Sequence, residues 1–282
     1  MLTEEEFFDK LFNEDEFTDD DMKSYIDMLD CNKLYSSNRL LVQILIEFGY
    51  NINVIKYAFD KTDKNILMNS HDNLGLTFLE SMAFRADIEI FKFICDNLPI
   101  KKDDLFFFYC FNLEKIKYLN KNNIVDLSST SKQNNTLLHN DNQIGNMTLS
   151  KFKYLCDIID VDSINNNNQN ILNKICSYSQ MVKHYNIEYI QLLLIKTKNM
   201  NVKNNDDKYW YDYLNKDTIK QIFTNDFINN DIILKQIDKI IKHIQFDSIY
   251  IYKIAFEQNH ENIKYIPLKY HDEIIEGMEI DL

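Results

Sequence analysis

Glycine and proline are scarce in this chain, with 4 Gly and 2 Pro among 282 residues. β-Sandwiches and nucleotide-binding folds with glycine-rich loops need more of these residues for their turns. The hydrophobic fraction is 45%, which is enough for a sizeable core in one elongated domain or two compact ones. The composition therefore favours an all-α protein whose helices are joined by polar turns, with asparagine replacing glycine where a left-handed backbone is needed.

Positive charge is also in short supply, since 31 Lys and Arg stand against 44 Asp and Glu and give a formal net charge of -13. This balance disfavours nucleic acid and anionic membrane surfaces as partners, and it favours a protein with a basic surface. No apolar run approaches transmembrane length. Acidic residues from Glu4 onward argue against a signal peptide, so we expect a cytoplasmic protein.

Sequence motifs for catalysis and metal binding are missing. We find no Walker loop, Rossmann glycine pattern, H-E-x-x-H or C-x-x-C. The 5 cysteines are widely spaced and odd in number, which indicates reduced thiols in a cell. Asp19–Asp21 lack the further spaced oxygens of a calcium loop. We therefore predict a protein that is not an enzyme and that uses no cofactor or metal.

Residues 72–95 carry the clearest local pattern. Asp72–Gly75 has the composition of a tight turn, and Thr77 follows at a position that can cap a helix. Two apolar faces at helical spacing come next, formed by Leu79, Met82 and Ala83 and by Ile88, Phe91, Ile94 and Cys95. Helices this short must bury their faces against neighbours. We therefore expect four side chains to be buried between stacked units: Leu79, Met82, Ile90 and Ile94.

This stretch resembles an ankyrin repeat, whose pattern of about 33 residues joins a β-turn, a T-P-L-H-x-A motif and two helices. Thr77 and Leu79 match the motif, while Phe78 and Glu80 replace its proline and histidine. Parts of the same pattern recur at residues 41–53, 131–139 and 254–266. The resemblance implies a helical solenoid of roughly six to eight degenerate repeats, with short hairpin turns and helical caps. A solenoid of tetratricopeptide- or HEAT-like helix pairs is the alternative, since such pairs share the helical period but lack these turn signatures.

The predicted domain organisation follows the order of these units. Residues 1–21 form an acidic N-terminal cap, or alternatively a solvated charged helix. Residues 22–266 form the solenoid, and residues 267–282 form a C-terminal cap. The phase of the repeat is unclear at 54–71 and at 210–244.

Helix positions within the units are predicted from the same pattern. Met22–Leu29 and Leu40–Phe48 are expected to be the first and second helices of one repeat, and Gly49 is expected at the end of the second. Asn165–Asn170 is expected at an expanded hairpin tip. Gly145 falls where the ankyrin family has a glycine between its two helices.

The ankyrin resemblance implies a protein–protein interaction module, because ankyrin proteins bind partners with their hairpin tips and concave inner helices. The expected partner-binding residues are polar side chains near predicted tips and one aromatic side chain beside them: His71, Asn73, Lys102, Lys132, Asn134, Asn167, Asn205, Asp207 and Trp210. Trp210 lies in an aromatic cluster with three tyrosines, for which core packing is the alternative. His139 lies in the family motif, where histidine serves turn hydrogen bonding.

Two alternative functions stay open. Ile266–Ile275 faintly resembles the start of the F-box-like element of poxviral ankyrin proteins, which implies a substrate adaptor for a ubiquitin ligase. A capping helix after Pro267 is the other interpretation of those residues. The second alternative is an enzyme whose site is assembled across repeats. The Asn-, Ile- and Lys-rich style resembles ankyrin proteins of poxviruses, giant amoebal viruses and intracellular bacteria, which implies a host protein as partner in the host cytoplasm.

Overall fold

The computed structural model of the chain describes residues 4–12, 17–182, 186–200, 202–224, 249–258 and 260–276, and the single residues Phe227, Ile233 and Ile241. These residues fall into two compact units, one up to Ser129 and one from Thr130 onward. Across the described ranges, regular secondary structure is helical and β-structure is limited to isolated bridges, which confirms the prediction of a helical protein. No helix within those ranges is both long and apolar enough to cross a membrane.

The first unit is built of short helices that pack in two rows. The described helices are α1 (Glu4–Phe12), α2 (Asp19–Ile26), η1 (Ser36–Asn38), α3 (Leu41–Glu47), α4 (Ile52–Lys61), α5 (Lys64–Asn69), α6 (Phe78–Arg85), α7 (Ile88–Asn97), η2 (Phe106–Tyr109) and α8 (Leu113–Lys121), where η marks a 3₁₀-helix. In the first row, α3 packs against α6 and α6 against η2. In the second row, α2, α4, α7 and α8 pack in that order.

The second unit repeats this arrangement. Its described helices are η3 (Leu137–His139), α9 (Asp141–Asn146), α10 (Leu149–Ile158), α11 (Ile171–Val182), α12 (Ile187–Lys196), η4 (Trp210–Tyr213), α13 (Lys216–Ile222), α14 (Ile249–Gln258), η5 (His260–Tyr265), η6 (Leu268–Tyr270) and α15 (His271–Glu276). The first row is η3, α11 and η4, and the second is α10, α12 and α13. Within each unit, first-row helices therefore pack on first-row helices and second-row helices on second-row helices.

Polar side chains set where many of these helices begin. The N-cap residue accepts a hydrogen bond from a backbone N–H of the first turn in a series of helices, at Thr18, Asn51, Asp63, Asp87, Asn112, Thr148, Asn186 and Asn215. Each cap satisfies a donor that would otherwise have no partner in the helix. The abundance of asparagine and aspartate thus gives the chain defined helix starts.

The four side chains that we expect to be buried between neighbouring repeats are indeed buried. Leu79 and Ile90 are 7% and 3% exposed, and Met82 and Ile94 are fully buried. They lie on α6 and α7, which contact both the preceding and the following helices of their rows. The predicted inward faces of these two helices are therefore confirmed.

The predicted order of helices near the start of the chain is wrong. Leu40–Phe48 is expected to be a second helix, but α3 packs in the first row with α6, and α4 takes the second-row position. Met22–Leu29 is expected to be a first helix, but α2 packs in the second row against α4. Gly49 does end α3: its φ is +70°, and the N–H of Tyr50 donates to Leu45 O at 3.1 Å, which closes the helix end.

Gly145 differs from its predicted place as well. It lies inside α9 and not between two helices. A Cβ at this position would be 2.6 Å from the hydroxyl oxygen of Tyr178, so the missing side chain makes room for that hydroxyl. The glycine therefore serves packing against α11.

The predicted domain limits stay predictions. The division after Ser129 falls inside the predicted solenoid of residues 22–266. Much of the region 210–244 lies outside the described residues, as do residues 13–16 of the N-terminal cap and 277–282 of the C-terminal cap.

Candidate functional site: the hairpin turns

Five turns of one construction precede first-row helices in the described part of the chain. In each, the N–H of the first residue donates to the carbonyl of the fifth, and the N–H of the fourth donates to the carbonyl of the first, at 2.8–3.1 Å. We number them turns 1 to 5: Tyr35–Arg39, Asp72–Leu76, Ser131–Asn135, Asn165–Gln169 and Asn204–Lys208. The fourth residue always has a positive φ, between 55° and 77°. It is glycine only in turn 2, because Asn and Asp also tolerate this conformation.

In turns 2 to 5, the side chain of the first residue accepts hydrogen bonds from the backbone of the same turn. In turn 4, Asn165 Oδ1 accepts from the N–H groups of Asn167 and Gln169, both at 3.0 Å. Asp72 accepts the equivalent pair of bonds in turn 2, as do Ser131 in turn 3 and Asn204 in turn 5. An Asp, Asn or Ser at this position thus supplies the acceptor that the backbone of the turn needs.

A second side chain caps the helix that follows most of these turns. The N–H of the N-cap residue donates to the side chain three residues later at Gln43, Glu80, His139 and Asp212. In the α6 cap, Glu80 Oε2 accepts from the N–H of Thr77 at 2.8 Å and from its hydroxyl at 3.0 Å. The replacement of the motif histidine by Glu80 therefore leaves this cap in place.

His139 links its own cap to the next turn. Its Nε2 lies 3.0 Å from Gln169 O, so Nε2–H donates, and Nδ1 accepts from the Thr136 hydroxyl at 2.9 Å. Burial lowers the pKa of His139 to about 4, although the bond to Gln169 acts in the opposite direction. The imidazole is therefore neutral at pH 7 and structural, which confirms the predicted turn-bonding role.

Neighbouring turns are also joined to each other through their backbones. Asn73 N donates to Ser37 O at 3.1 Å, and in the second unit Asn166 N donates to Gln133 O and Asn205 N to Asn167 O, both at 3.0 Å. Side-chain amides strengthen the second set: those of Asn134, Asn166 and Asn205 donate to Ile164 O, Lys132 O and Asn166 O at 2.6–3.2 Å. Turns 3, 4 and 5 therefore form one hydrogen-bonded edge.

Eight of the nine predicted partner-binding residues are exposed, and five of them meet on this edge. Lys132 and Asn134 lie in turn 3, Asn167 in turn 4, and Asn205 and Asp207 in turn 5. Asp207 forms an ion pair with Lys203 at 2.6 Å. The side chain of Asn167 is exposed and makes no hydrogen bond within the described residues.

The other exposed residues of the predicted site belong to the first unit. His71 comes directly before turn 2, with Nδ1 3.1 Å from Asn69 O, and Asn73 is at the tip of that turn. Lys102 lies in the loop before η2, where its carbonyl accepts from the N–H of Asp126 at 2.8 Å. The first unit therefore presents a smaller polar edge of its own.

Trp210 is the exception, and its assignment to the binding surface is wrong. It is 2% exposed and lies in η4, which packs against α11. Tyr213 is 7% exposed and its hydroxyl accepts from Asn204 Nδ2 at 2.7 Å. Trp210 and Tyr213 therefore belong to the core, whereas Tyr209 and Tyr211 of the same cluster are partly exposed.

The sequence analysis missed a charged cluster on the first row of the first unit. Both arginines of the chain, Arg39 and Arg85, form ion pairs with Glu47. These side chains are partly exposed, at 17%, 25% and 13%. The available signal was compositional: a chain that otherwise uses lysine has arginine at only two positions.

The second unit also contains a cavity of about 290 Å³ between α9, α11 and the start of α12. Its lining combines apolar side chains such as Ile144, Ile175 and Val182 with the polar Tyr178 and Ser179. No histidine or carboxylate lines it among the described residues. Those residues also hold no group of three or more His, Cys, Asp or Glu placed to bind a metal.

Comparison with known proteins adds no family to this geometry. No protein-family model matches the chain, and a search of curated proteins finds no match. The ankyrin resemblance therefore rests on the residues of the chain, on its five similar turns and on the two rows of helices in each unit.

Proposed function

We propose that this chain is an ankyrin-type repeat protein that binds another protein through the edge formed by turns 3, 4 and 5. The observation that carries the proposal is the recurrence of one hairpin turn at five places, each followed by a first-row helical segment. The ankyrin pattern combines a β-turn with two helices in each unit. A stack of roughly six to eight such repeats is the architecture that we propose for the whole chain.

The chemistry of the edge suits the recognition of a protein surface. Its tips offer exposed amide groups, such as that of Asn167, and charged side chains of both signs at Lys132 and Asp207. Bonds between the turns hold these groups in place before a partner arrives, so little conformational entropy is lost on binding. The net charge of -13 favours encounter with a basic partner. In the viral or bacterial setting that the composition suggests, this partner is a host protein in the cytoplasm.

An interaction screen with the purified full chain tests the proposal. Partners captured by the parent should be lost from an Asn167→Arg variant, which places a bulky cation at the centre of the edge. Asn53→Arg is the matched control, because Asn53 is exposed at the start of the second-row helix α4. Both variants should melt like the parent. A partner that binds Asn167→Arg as well as the parent would show that the tips are not the binding surface.

The ubiquitin-ligase adaptor and the enzyme stay predictions. In the adaptor segment, His271 Nε2 lies 2.7 Å from Ile266 O and α15 packs against α14, which are features of a capping segment as much as of an F-box-like start. Removal of the residues after Tyr265 tests the adaptor, because copurification with a cullin-adaptor protein should then disappear. For the enzyme, the described lining of the cavity in the second unit holds no histidine or carboxylate, and its ionisable side chains are Tyr178 and Tyr189.

A further inference from the structure

The arginine cluster of the first unit has more positive charge than it needs for its own carboxylate. Arg39 Nε donates to Ser36 O at 3.0 Å, and both guanidinium groups pair with the single carboxylate of Glu47. Asp87, the next carboxylate after Arg85, caps α7 by accepting from Ile90 N at 2.8 Å, and it forms no ion pair with either arginine among the described residues. The cluster therefore keeps one unit of excess positive charge in a chain whose net charge is -13.

Exposed aromatic side chains stand next to residues of the cluster in the sequence. Phe84 precedes Arg85 on α6 and is 53% exposed, and its ring lies 5.5 Å from that of Phe111 in an edge-to-face arrangement. Phe48, which follows Glu47, is 39% exposed. Arginine and aromatic residues are the side chains that most often carry binding energy at protein interfaces.

The donor count of the cluster indicates what it recognises. Each guanidinium has five N–H donors, whereas one carboxylate offers about four acceptor positions. A second carboxylate can therefore be held by charge-assisted hydrogen bonds without displacing Glu47. Lysine would supply charge without this planar fork, which distinguishes these two positions from the lysines elsewhere in the chain.

We propose that Arg39, Arg85 and Phe84 form a second contact surface, which receives an acidic side chain of a protein partner together with an apolar side chain next to it. The carboxylate binds guanidinium N–H groups that Glu47 leaves open, and the apolar side chain packs on the ring of Phe84. The inference rests on the proposed protein-binding function and adds the chemistry of the partner at the first unit. The partner can still be basic overall, because its net positive charge is attracted by the net negative charge of the chain. One acidic residue of that partner then binds the arginine surface.

A displayed library of random peptides, selected on the immobilised full chain, tests this chemistry. Enriched peptides should carry Asp or Glu next to an aliphatic or aromatic residue. A synthetic consensus peptide should bind at least about tenfold more tightly than the same peptide with Asn or Gln in place of the acid. Its affinity should fall as salt is added, because the contact is only partly shielded from solvent.

Two variants assign the peptide to the proposed residues. Arg85→Gln and Phe84→Ser should each weaken the consensus peptide about tenfold. Matched controls are Lys121→Gln, which removes one exposed positive charge from α8, and Ile66→Ser, which removes an exposed apolar side chain from α5. These controls should bind like the parent. Circular dichroism melts check that all four variants are folded, and Phe84→Ser is the safer of the two test variants because its side chain is half exposed.

The proposal is overturned if the selected peptides lack an acid, if no peptide depends on Arg85, or if the controls weaken binding as much as the test variants. The outcome is separable from that of the proposed function. A protein partner lost from Asn167→Arg but held by Arg85→Gln would support the edge of turns 3 to 5 and refute the arginine surface. Peptides that depend on Arg85, found without any partner for the edge, would support the arginine surface alone.

Discussion

Replacement of Asn165 by alanine removes the central hydrogen bonds of turn 4. Asn165 Oδ1 accepts from Asn167 N and Gln169 N at 3.0 Å, and its Nδ2 donates to Asn135 Oδ1 in turn 3 at 2.9 Å. The side chain is almost completely buried, with 6% exposed. Alanine leaves the two backbone donors and the Asn135 acceptor without this partner.

The expected loss is about 2–4 kcal/mol in the free energy of unfolding. Gln169 is buried, so its N–H stays unsatisfied and contributes about 1–3 kcal/mol. The lost bond to Asn135 contributes about 1 kcal/mol more. Asn167 is exposed and its N–H can bond to water, so it adds little. Asn165→Asp should lose about 1 kcal/mol or less, because a carboxylate accepts the same two bonds in turn 2 at Asp72.

Urea unfolding followed by tryptophan fluorescence measures the effect, since the chain has 1 Trp and Trp210 is buried in the second unit. Asn167→Ala is the matched control and should stay within about 0.5 kcal/mol of the parent, because it removes an exposed amide from the same turn. The expected order of loss is Asn165→Ala, then Asn165→Asp, then Asn167→Ala. Equal unfolding midpoints for Asn165→Ala and Asn167→Ala would refute the assignment of the turn bonds.

Ile94→Asp should lose about 4 kcal/mol or more in thermal or urea melts, because Ile94 is fully buried, whereas Asn73→Asp at an exposed tip should stay within about 0.5 kcal/mol. Similar melting of the two variants would refute the burial of Ile94 in α7 and the exposure of Asn73 in turn 2. The folded chain holds the pKa of His139 at about 4 against an ordinary 6.5, so the unfolded chain binds the proton first. The stabilisation is therefore complete above pH 6.5 and is lost as pH falls: about 2 kcal/mol should disappear by about pH 5, and a His139→Asn variant unfolded in urea at both pH values should lack this part. Trp210→Ala should cost about 3–5 kcal/mol by circular dichroism and Lys132→Ala about 0.5 kcal/mol or less, and a Trp210→Ala variant that melts like the parent would contradict its core position.

Local chemistry allowed the turns and the buried faces to be predicted from the sequence. Asp72–Gly75 has a turn composition that few other structures accommodate, and the apolar spacing of α7 leaves one possible inward face. The asparagine run at 165–170 was likewise predictable as a hairpin tip, because asparagine both accepts backbone hydrogen bonds and tolerates a positive φ.

The row to which α3 belongs could not be predicted in the same way. All its residues from Leu41 to Ile46 are buried, so its apolar pattern has no polar face that would distinguish a first-row helix from a second-row one. Gly49 ends a helix equally well in either row. The deciding feature is turn 1 before the helix, and its first residue is Tyr35 in place of the Asp, Asn or Ser of the other turns.

The charged cluster needed tertiary structure for a different reason. Arg85 lies far from Arg39 and Glu47 in sequence, and only the packing of α3 on α6 brings it to them. Trp210 was assigned to the surface because aromatic clusters occur both in cores and at binding sites. Its burial depends on α11, the preceding helix of the first row, against which η4 packs.

Two of the roles that asparagine has in turns 3 to 5 decide how binding can be tested. At the first position of a turn, as in Asn165, the side chain is buried and holds the backbone. At the third position, as in Asn167, the side chain is exposed and the turn does not depend on it. Any loss of partner binding caused by changing a first-position asparagine is therefore mixed with loss of structure. Changes at the third position alter the surface alone, so they are the ones that can show whether these tips bind a protein.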